Sequence, residues 1–397
     1  MANTLTIDQI APVLRAVVKQ ATGRGDLANY DVTQLLTIGN TALMADTEKM
    51  LNSISQVLTR TIISARPYKA AFQRMQKSPE AWGNFVRKIK ICDKDTDIQD
   101  NEAVNLRDGA SVDMYKVDNT VVLQLNFYGQ QAYTIKKTIY ETQFNTCFNS
   151  AEEFSRFISA IFIYVTNKME VTHEATGRAT LCGLMGGIVA DPASAANQRV
   201  VHLITEYSAE VGKAPKYTTA EIMAPEVFEP FMRWVYGRIN TISDMMTEYT
   251  TLYQSNVTGK SIDQHTPKER QICYLYQPII NQMRSRVLNT LVDSFLTLPG
   301  YEGVNFWQSV KTPDAFMLED VSYLGTDGAI KKKGSPVKQA GVFGILFDEE
   351  AAGYVPVLRN AKVTPDNAAA DYRNYFWKFW ERHYIDFSEK AVVFLLD

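Results

Sequence analysis

The chain has 397 residues, of which 46% are hydrophobic, and it carries a formal net charge of -3 at pH 7. This length and apolar content suffice for a large buried core and for more than one compact unit. A slight excess of acidic residues argues against a protein that coats nucleic acid through overall positive charge.

The N-terminus has no basic start followed by an apolar stretch, and the sequence has no uninterrupted apolar run of membrane length. We therefore expect a chain that is made and kept in the cytosol. The cysteines lie far apart without a Cys-x-x-Cys pair, which is typical of free thiols rather than of a disulfide scaffold. They are Cys92, Cys147, Cys182 and Cys273.

The N-terminal region has a helical pattern but no compact core. Apolar residues recur at helical spacing from about residue 31 to residue 65, and Pro67 ends the segment. This pattern predicts a long N-terminal arm, which cannot bury its apolar stripe within one subunit. The arm residues expected to contact a neighbouring subunit are Leu43, Leu51 and Ile54.

Two alternating strands are predicted on either side of a long polar connection, at residues 85–91 and 121–127. Connections of that length are uncommon inside a compact domain. The pattern therefore predicts a long two-stranded projection with an acidic tip, ordered by a neighbouring subunit. The residues expected to make these contacts are Ile89, Ile91, Leu123 and Leu125.

A strong amphipathic helix is predicted after residue 150. Residues 150–153 (Ser-Ala-Glu-Glu) fit a capping box, and apolar residues follow at spacings of three and four. We expect Gly183, Gly186 and Gly187 to end this helix. A helix of about 35 residues would be about 50 Å long, which is the length of a spine rather than of a small-domain helix.

The rest of the chain is predicted to pass from helices to strands. Residues 190–225 have the composition of a crossing between lobes, and helical stretches are expected at about 227–252 and 267–295, interrupted by Pro230 and Pro278. An antiparallel sheet is predicted from strands at 342–347, 354–358, 372–384 and 391–396. The predicted fold class is α+β.

No motif supports catalysis, a cofactor or a metal. Residues 93–97 (Asp-Lys-Asp-Thr-Asp) begin like a calcium loop, but Ile98 stands where that loop needs glycine. His173 begins a zinc-protease pattern, but Gly177 stands at the position of the second histidine. We therefore expect no catalytic, cofactor-binding or metal-ligating residue.

Two patterns invite a nucleic-acid interpretation. Adjacent cations release counterions from a phosphate backbone, so Lys331, Lys332 and Lys333 are predicted to make weak DNA-backbone contacts, although a solvated loop is the favoured interpretation. The aromatic residues of segment 375–380 resemble a base-stacking platform, but aromatics on both faces of a strand are more typical of a buried sheet. We interpret that strand as core.

The order of these elements resembles the major capsid protein of tailed bacteriophages, a fold shared with herpesvirus shells, and most of all the short-tailed podovirus type. The segments that carry the resemblance are 58–63 (Leu-Thr-Arg-Thr-Ile-Ile), 85–122, 126–134, 144–184 and the aromatic strand from Tyr372. The family is distinguished by layout and hydrophobic pattern rather than by catalytic residues.

The resemblance implies five segments. They are an N-terminal arm at 1–66, an extended two-stranded loop at 67–130, a spine helix and peripheral domain at 131–190, a mainly helical axial domain at 191–340, and the peripheral-domain strands at 341–397.

The resemblance also implies a structural protein without enzymatic activity or cofactors. Such a protein self-assembles into hexamers and pentamers of an icosahedral head that encloses double-stranded DNA, together with scaffolding and portal proteins, in the host bacterial cytoplasm. Two alternatives stay open from the sequence: another self-assembling virion component, such as a portal or tail protein, and an unrecognised cytosolic enzyme.

Overall fold

The computed structural model describes residues 71–77, 86–92, 108, 111, 115, 117, 119–140, 151–258, 262–286, 300–365, 367 and 372–397. The predicted N-terminal arm, with Leu43, Leu51 and Ile54, lies outside the described residues, as does most of the predicted acidic tip.

The described part of the chain combines helices and strands, which confirms the predicted α+β class. Its α-helices are α1 (Ala151–Ala190), α2 (Leu203–Glu210), α3 (Thr219–Ile222), α4 (Pro225–Met246) and α5 (Gln277–Arg286), and short 3-10 helices lie at Gln73–Met75 and Lys268–Arg270.

The strands of the described part include the two of the predicted projection and all four predicted near the C-terminus, but these four belong to two sheets rather than to the single antiparallel sheet predicted. They are β1 (Val86–Cys92), β2 (Val121–Phe127), β3 (Gln130–Tyr140), β4 (Val200–His202), β5 (Gln271–Tyr276), β6 (Tyr301–Val304), β7 (Phe316–Leu318), β8 (Ser322–Leu324), β9 (Ile330–Lys332), β10 (Val337–Gln339), β11 (Val342–Asp348), β12 (Ala352–Val363), β13 (Tyr372–Ile385) and β14 (Ala391–Leu395).

These elements belong to two compact units. Unit 1 takes its described residues from Met1–Ala81, Gln130–Thr176 and Val355–Arg382, and unit 2 takes them from Trp82–Gly129, Gly177–Tyr354 and His383–Asp397.

Unit 1 contains a sheet with the strand order β12-β13-β3, in which β13 and β3 are antiparallel. Successive side chains of a strand point to opposite faces, and here Tyr375, Trp377 and Phe379 are buried while Phe376 and Trp380 are half-buried. The Phe379 ring packs near the His173 imidazole of α1, at 6.2 Å between ring centroids. The interpretation of this aromatic strand as core is therefore confirmed for its inward face.

Unit 2 is built around a mixed sheet with the strand order β4-β14-β11-β5-β6. Strand β11 is antiparallel to both β14 and β5, whereas β4 and β6 are parallel additions at the two edges. Every residue of β5, β11 and β14 is buried. Their nearly continuous apolar sequences reflect burial on both faces, which is why they lack clean alternation.

Helix α4 belongs to unit 2 and buries one apolar stripe. Pro230 lies inside this helix and does not interrupt it, contrary to the sequence prediction. Because Pro230 is in the second turn, its missing N–H removes one bond to the first turn only. The buried stripe has the spacing of three and four expected for an amphipathic helix. It includes Phe228, Phe231, Met232, Val235, Ile239, Ile242 and Met246.

The predicted helix at 267–295 is wrong over its first part. Residues 271–276 (Gln-Ile-Cys-Tyr-Leu-Tyr) form the buried strand β5, and the helix starts only at Gln277. A short apolar run cannot be assigned to a helix or a strand by periodicity alone. Pro278 is the second residue of α5, where a missing N–H costs little, so it begins the helix rather than interrupting it.

The glycines of α1 do not end the helix, which continues to Ala190. They allow close packing instead. A Cβ at Gly186 would lie 2.6 Å from Leu318 Cδ1, and a Cβ at Gly187 would lie 2.7 Å from the Ser322 carbonyl oxygen. The prediction failed because glycine at close backbone contacts and glycine at helix ends look alike in sequence.

Candidate assembly surface

Strands β1 and β2 form an antiparallel hairpin in unit 2, as the sequence predicts. Its register pairs Ile89 with Gln124 and Ile91 with Val122. Because side chains alternate across a strand, the register divides the hairpin into two faces. The inner face consists of Lys88, Lys90, Cys92, Val121, Leu123 and Leu125. The outer face consists of Arg87, Ile89, Ile91, Val122, Gln124 and Asn126.

The apolar side chains of the inner face pack into their own subunit. Cys92 and Leu123 form a buried cluster with Ile262, and Val121 and Leu125 pack partly against it. The four contact residues predicted from the sequence therefore do not share a face. Leu123 and Leu125 contribute to the interior of unit 2, and Ile89 and Ile91 lie on the opposite side.

The other part of the inner face carries two lysines that contact carboxylates from a distant part of the chain. Lys88 Nζ lies 2.9 Å from Glu350 Oε2 and 3.0 Å from Asp386 Oδ2, and it also contacts Glu389 Oε1. Lys90 Nζ lies 2.7 Å from the same Glu389 oxygen. We call these five residues the lysine anchor.

Neighbouring polar groups hold the carboxylates of the lysine anchor in place. The backbone N–H and the hydroxyl of Ser388 donate to Asp386 Oδ1, at 2.9 and 2.5 Å, which leaves Oδ2 for Lys88. Lys90 also donates to Gln264 Oε1 at 3.1 Å and to the Ser388 carbonyl at 3.2 Å. The Asp386 side chain is only 1% exposed, so these contacts replace the water that a carboxylate would otherwise bind.

The charges of the lysine anchor stabilise one another. Burial lowers the pKa of Lys88, but Asp386 and Glu389 outweigh this effect and raise the pKa above its ordinary value. Burial raises the pKa of Glu350, but Lys88 and Arg270 outweigh it and hold the pKa below its ordinary value. Both groups are therefore charged at neutral pH.

The outer face exposes apolar side chains. Ile89 is 59% exposed, Ile91 is 67% exposed and Val122 is 48% exposed. A hairpin that stays in water normally turns its apolar side chains inward and its cations outward. Strand β1 departs from this arrangement, because its lysines are inside and its isoleucines are outside, whereas β2 turns Leu123 and Leu125 inward. Such a face has the composition of an interaction surface.

The predicted DNA contacts lie at the hairpin of β8 and β9. Lys331 pairs with Asp327 at 3.2 Å and Lys332 pairs with Asp320 at 2.8 Å. All three lysines are exposed, and the backbone N–H of Lys333 donates to the Val321 carbonyl. The positive charge of this run is thus partly neutralised within the subunit.

The structure places His173 in the interior. His173 is buried in unit 1 and pairs with the buried Glu381. Within the described residues, no three His, Cys, Asp or Glu side chains are grouped as metal ligands. Each helix of that same part is also too short or too polar to span a bilayer.

Sequence reasoning missed the lysine anchor. The alternation of segment 85–91 predicted a half-buried strand, but Lys88, Lys90, Asp386 and Glu389 were not singled out. A signal was present in residues 386–390 (Asp-Phe-Ser-Glu-Lys), a polar segment between the aromatic strand β13 and the apolar strand β14. All five residues of this segment are buried. Buried charges require partners of opposite charge. A charged segment between two strands of the core therefore indicates that cations from elsewhere in the chain lie next to it.

Comparison with known proteins agrees with this architecture. A family model described as Phi29-like phage major capsid protein matches residues 14–395. No curated protein matches the sequence.

Two solved phage structures share the fold at low sequence identity. One is described as the capsid structure of Staphylococcus phage Andhra, with a TM-score of 0.55, 10% identity, and coverage of 85% of this chain and 86% of that chain. Another is described as the structure of head fiber and inner core protein gp22 of native bacteriophage P68, with a TM-score of 0.52, 8% identity, and coverage of 83% and 85%.

The family match spans nearly the whole chain, and the fold agrees with it. The resemblance to the tailed-phage major capsid protein is confirmed, and with it the expectation of a structural rather than an enzymatic role. The chain belongs to the family of Phi29-like phage major capsid proteins.

Proposed function

We propose that this chain forms hexamers and pentamers of an icosahedral phage head that encloses double-stranded DNA. Scaffolding and portal proteins would assist the assembly, which takes place in the host cytoplasm. The observation that carries the proposal is the outer face of the hairpin, which exposes Ile89, Ile91 and Val122 while Lys88 and Lys90 point inward to the carboxylates of the lysine anchor. Its outer face is proposed to contact a second copy of this chain.

The outer face has the layout of a small protein interface. Ile89, Ile91 and Val122 form an apolar centre, and the polar residues Arg87, Gln124 and Asn126 surround it on the same face. Burying a fully exposed isoleucine contributes about 1.5–3 kcal/mol, so three partly exposed side chains supply a few kcal/mol per contact. Such a modest contact becomes sufficient when it is repeated around a closed ring of subunits.

A second copy fits this face better than DNA does. The apolar side chains offer nothing to a phosphate backbone, and Arg87 is the one cation of the outer face. A projecting hairpin also meets a different surface on its neighbour, and heterologous contacts of this kind close into rings. Hexamers and pentamers are such rings.

The enclosed DNA is proposed to make weak and non-specific contacts. Lys331, Lys332 and Lys333 are exposed, but two of them already pair with Asp327 and Asp320. Counterion release is therefore small, so the contact is expected to be weak and its affinity to fall only slightly as salt is added. The five-segment organisation, from the arm at 1–66 to the strands at 341–397, is part of the same proposal.

The test is assembly of a variant that changes only the outer face. Ile89→Thr combined with Ile91→Thr keeps two β-branched residues in β1 but makes their exposed side chains polar. Ile330→Thr is the matched control, since Ile330 is a 61% exposed isoleucine on the hairpin of β8 and β9. The measurement is negative-stain electron microscopy of the full chain, with and without a co-expressed scaffolding protein.

We expect closed shells from the unmodified chain and from the control, and unassembled subunits from the double variant. Shells of normal size and yield from the double variant would contradict the proposed contact. Twelve-fold rings or tubes from the unmodified chain would contradict the proposed shell.

A further inference from the structure

The lysine anchor joins the hairpin to a segment far away in sequence. Lys88 and Glu389 are separated by 301 positions. Lys88 reaches three carboxylates, and Lys90 reaches two of the same three together with an amide and a carbonyl oxygen. The two lysines lie on the same face of β1 and share Glu389, so they hold that strand at two points. Two points of contact fix the direction of the strand as well as its position.

We propose that Lys88 and Lys90 are positioning residues that set the direction in which the hairpin leaves unit 2. Through that direction they set where the outer face meets the neighbouring subunit and hence the curvature of the shell. This inference rests on the proposed function, because it concerns the same outer face. It assigns a role in assembly to residues whose charged groups contact carboxylates of their own subunit.

Packing alone does not fix this hairpin. Its buried apolar cluster is small: Cys92 and Leu123 meet Ile262, and Val121 and Leu125 pack only partly against them. A two-stranded hairpin is marginally stable by itself. Among the described side chains of β1, the other inner-face contacts are those of Lys88 and Lys90, so the direction of the hairpin depends on charge-assisted hydrogen bonds, which are short and directional.

A second point of attachment lies next to the anchor. The backbone N–H of His383 donates to the Gly129 carbonyl at 3.1 Å, and a Cβ at Gly129 would lie 2.6 Å from the His383 carbonyl oxygen. The rings of Phe127 and Tyr384 lie 5.7 Å apart. His383 and Tyr384, which precede Asp386 in the chain, therefore hold the end of β2. The hairpin could still rotate about this end, and the lysine anchor prevents that rotation.

The charge balance of the anchor makes it sensitive to substitution. Three carboxylates face two ammonium groups, and Arg270 also contacts Glu350. Without the lysines, Asp386 and Glu389 would be buried anions with too few cations, and they would draw in water. The hairpin would then separate from its support.

The experiment compares two anchor variants. The first, Lys88→Met with Lys90→Met, keeps the aliphatic stems but leaves the carboxylates uncompensated. The second adds Asp386→Asn and Glu389→Gln, so that the two lysines and their two buried carboxylates are all neutral. Because it leaves neither Asp386 nor Glu389 as an uncompensated buried anion, it keeps the test informative if the first variant misfolds. Lys268→Met is the control, because Lys268 pairs with Asp244 outside the anchor and both side chains are more than half exposed.

Two readouts separate positioning from stability. Hydrogen exchange of the unassembled full chain should show the amides of β1 and β2 exchanging at least about tenfold faster in both anchor variants, with β11 unchanged. Electron microscopy should then show irregular or mis-sized particles from the neutral four-residue variant, although its melting temperature stays near that of the unmodified chain. A merely structural role would leave shell size unchanged at equal stability.

Normal exchange in β1 and β2, or normal shells despite fast exchange, would overturn the inference. If the Ile89→Thr, Ile91→Thr variant fails to assemble while both anchor variants form normal shells, the hairpin is a contact whose direction the anchor does not set. If none of these variants changes assembly, the proposed contact fails as well.

Discussion

Two hairpins of unit 2 carry lysines, and they use them in opposite ways. In the hairpin of β8 and β9, the side chains of Lys331 and Lys332 are 45% and 69% exposed and pair with exposed carboxylates. In the hairpin of β1 and β2, the side chains of Lys88 and Lys90 are 20% and 10% exposed and pair with the buried Asp386 and Glu389.

The difference shows that burial of the carboxylate decides how much an ion pair contributes to stability. An exposed pair is screened by water and salt and contributes about 0–1 kcal/mol, so it fixes little. A buried pair is costly to break, because the remaining partner is left as an uncompensated charge. The run of three lysines, which stands out in the sequence, therefore forms ordinary surface ion pairs. The two lysines of the alternating strand β1 instead hold their hairpin in place.

The largest expected effect separates the two hairpins directly. Lys88→Met with Lys90→Met should lower the free energy of unfolding by about 3–5 kcal/mol, because it leaves buried carboxylates without partners. Lys331→Met with Lys332→Met should change it by about 0–1 kcal/mol. Urea unfolding of the two variants checks this. Equal losses of unfolding free energy in the two variants would contradict the proposed difference between the hairpins.

Apolar residues should show a smaller contrast of the same kind. Leu123→Ala removes a buried side chain from the cluster with Cys92 and Ile262, and we expect a loss of about 2–3 kcal/mol in urea unfolding. Ile330→Ala should stay within about 0.5 kcal/mol of the unmodified chain, since Ile330 is exposed. A larger loss at Ile330 than at Leu123 would contradict the assigned burial.

Glycine extends the comparison to helices. Gly187→Ala should destabilise unit 2 by about 1–2 kcal/mol, because the new Cβ would meet the Phe387 ring and the Ser322 carbonyl oxygen. Gly237→Ala in α4 should instead stabilise it by about 0.5–1 kcal/mol, since nothing lies within 4 Å of the new Cβ. Thermal unfolding distinguishes the two signs, and destabilisation by both would show that α4 is packed more tightly at Gly237.

The smallest effect is a pH dependence of the anchor. The pKa of Glu350 is held below its ordinary value of 4.5, so its contribution is present above that pH and is lost as the pH falls through the lowered value. Lys88, with a raised pKa, stays charged throughout this range. The stability difference between the unmodified chain and Glu350→Gln should therefore shrink between about pH 5 and pH 3. A difference that is constant with pH would contradict the pairing of Glu350 with Lys88.

Much of the fold follows from the sequence where one periodicity dominates. The alternation in β1 and β2, the aromatic run of β13 and the three-and-four spacing of α1 predicted those elements. Strand β5 was missed because its apolar run continues into the helix that follows it, so both look like one helical segment. The glycines of α1 were misassigned because their packing partners, Leu318 and Phe387, are far away in sequence.

The candidate site was predictable only in part, for a related reason. Alternation in segment 85–91 separates the lysines from the isoleucines, but it does not say which face is inward. That choice depends on Asp386 and Glu389, about 300 positions later. Without them, the ordinary expectation places isoleucine inside and lysine outside.

The central claim is that a neighbouring subunit covers the outer face of the hairpin. It is tested most directly by thiol labelling of an Ile91→Cys variant, with peptide-level mass spectrometry, before and after assembly. We predict rapid labelling at position 91 in the unassembled chain, as its 67% exposure implies, and protection in closed shells. Equal labelling in both states would contradict the claim.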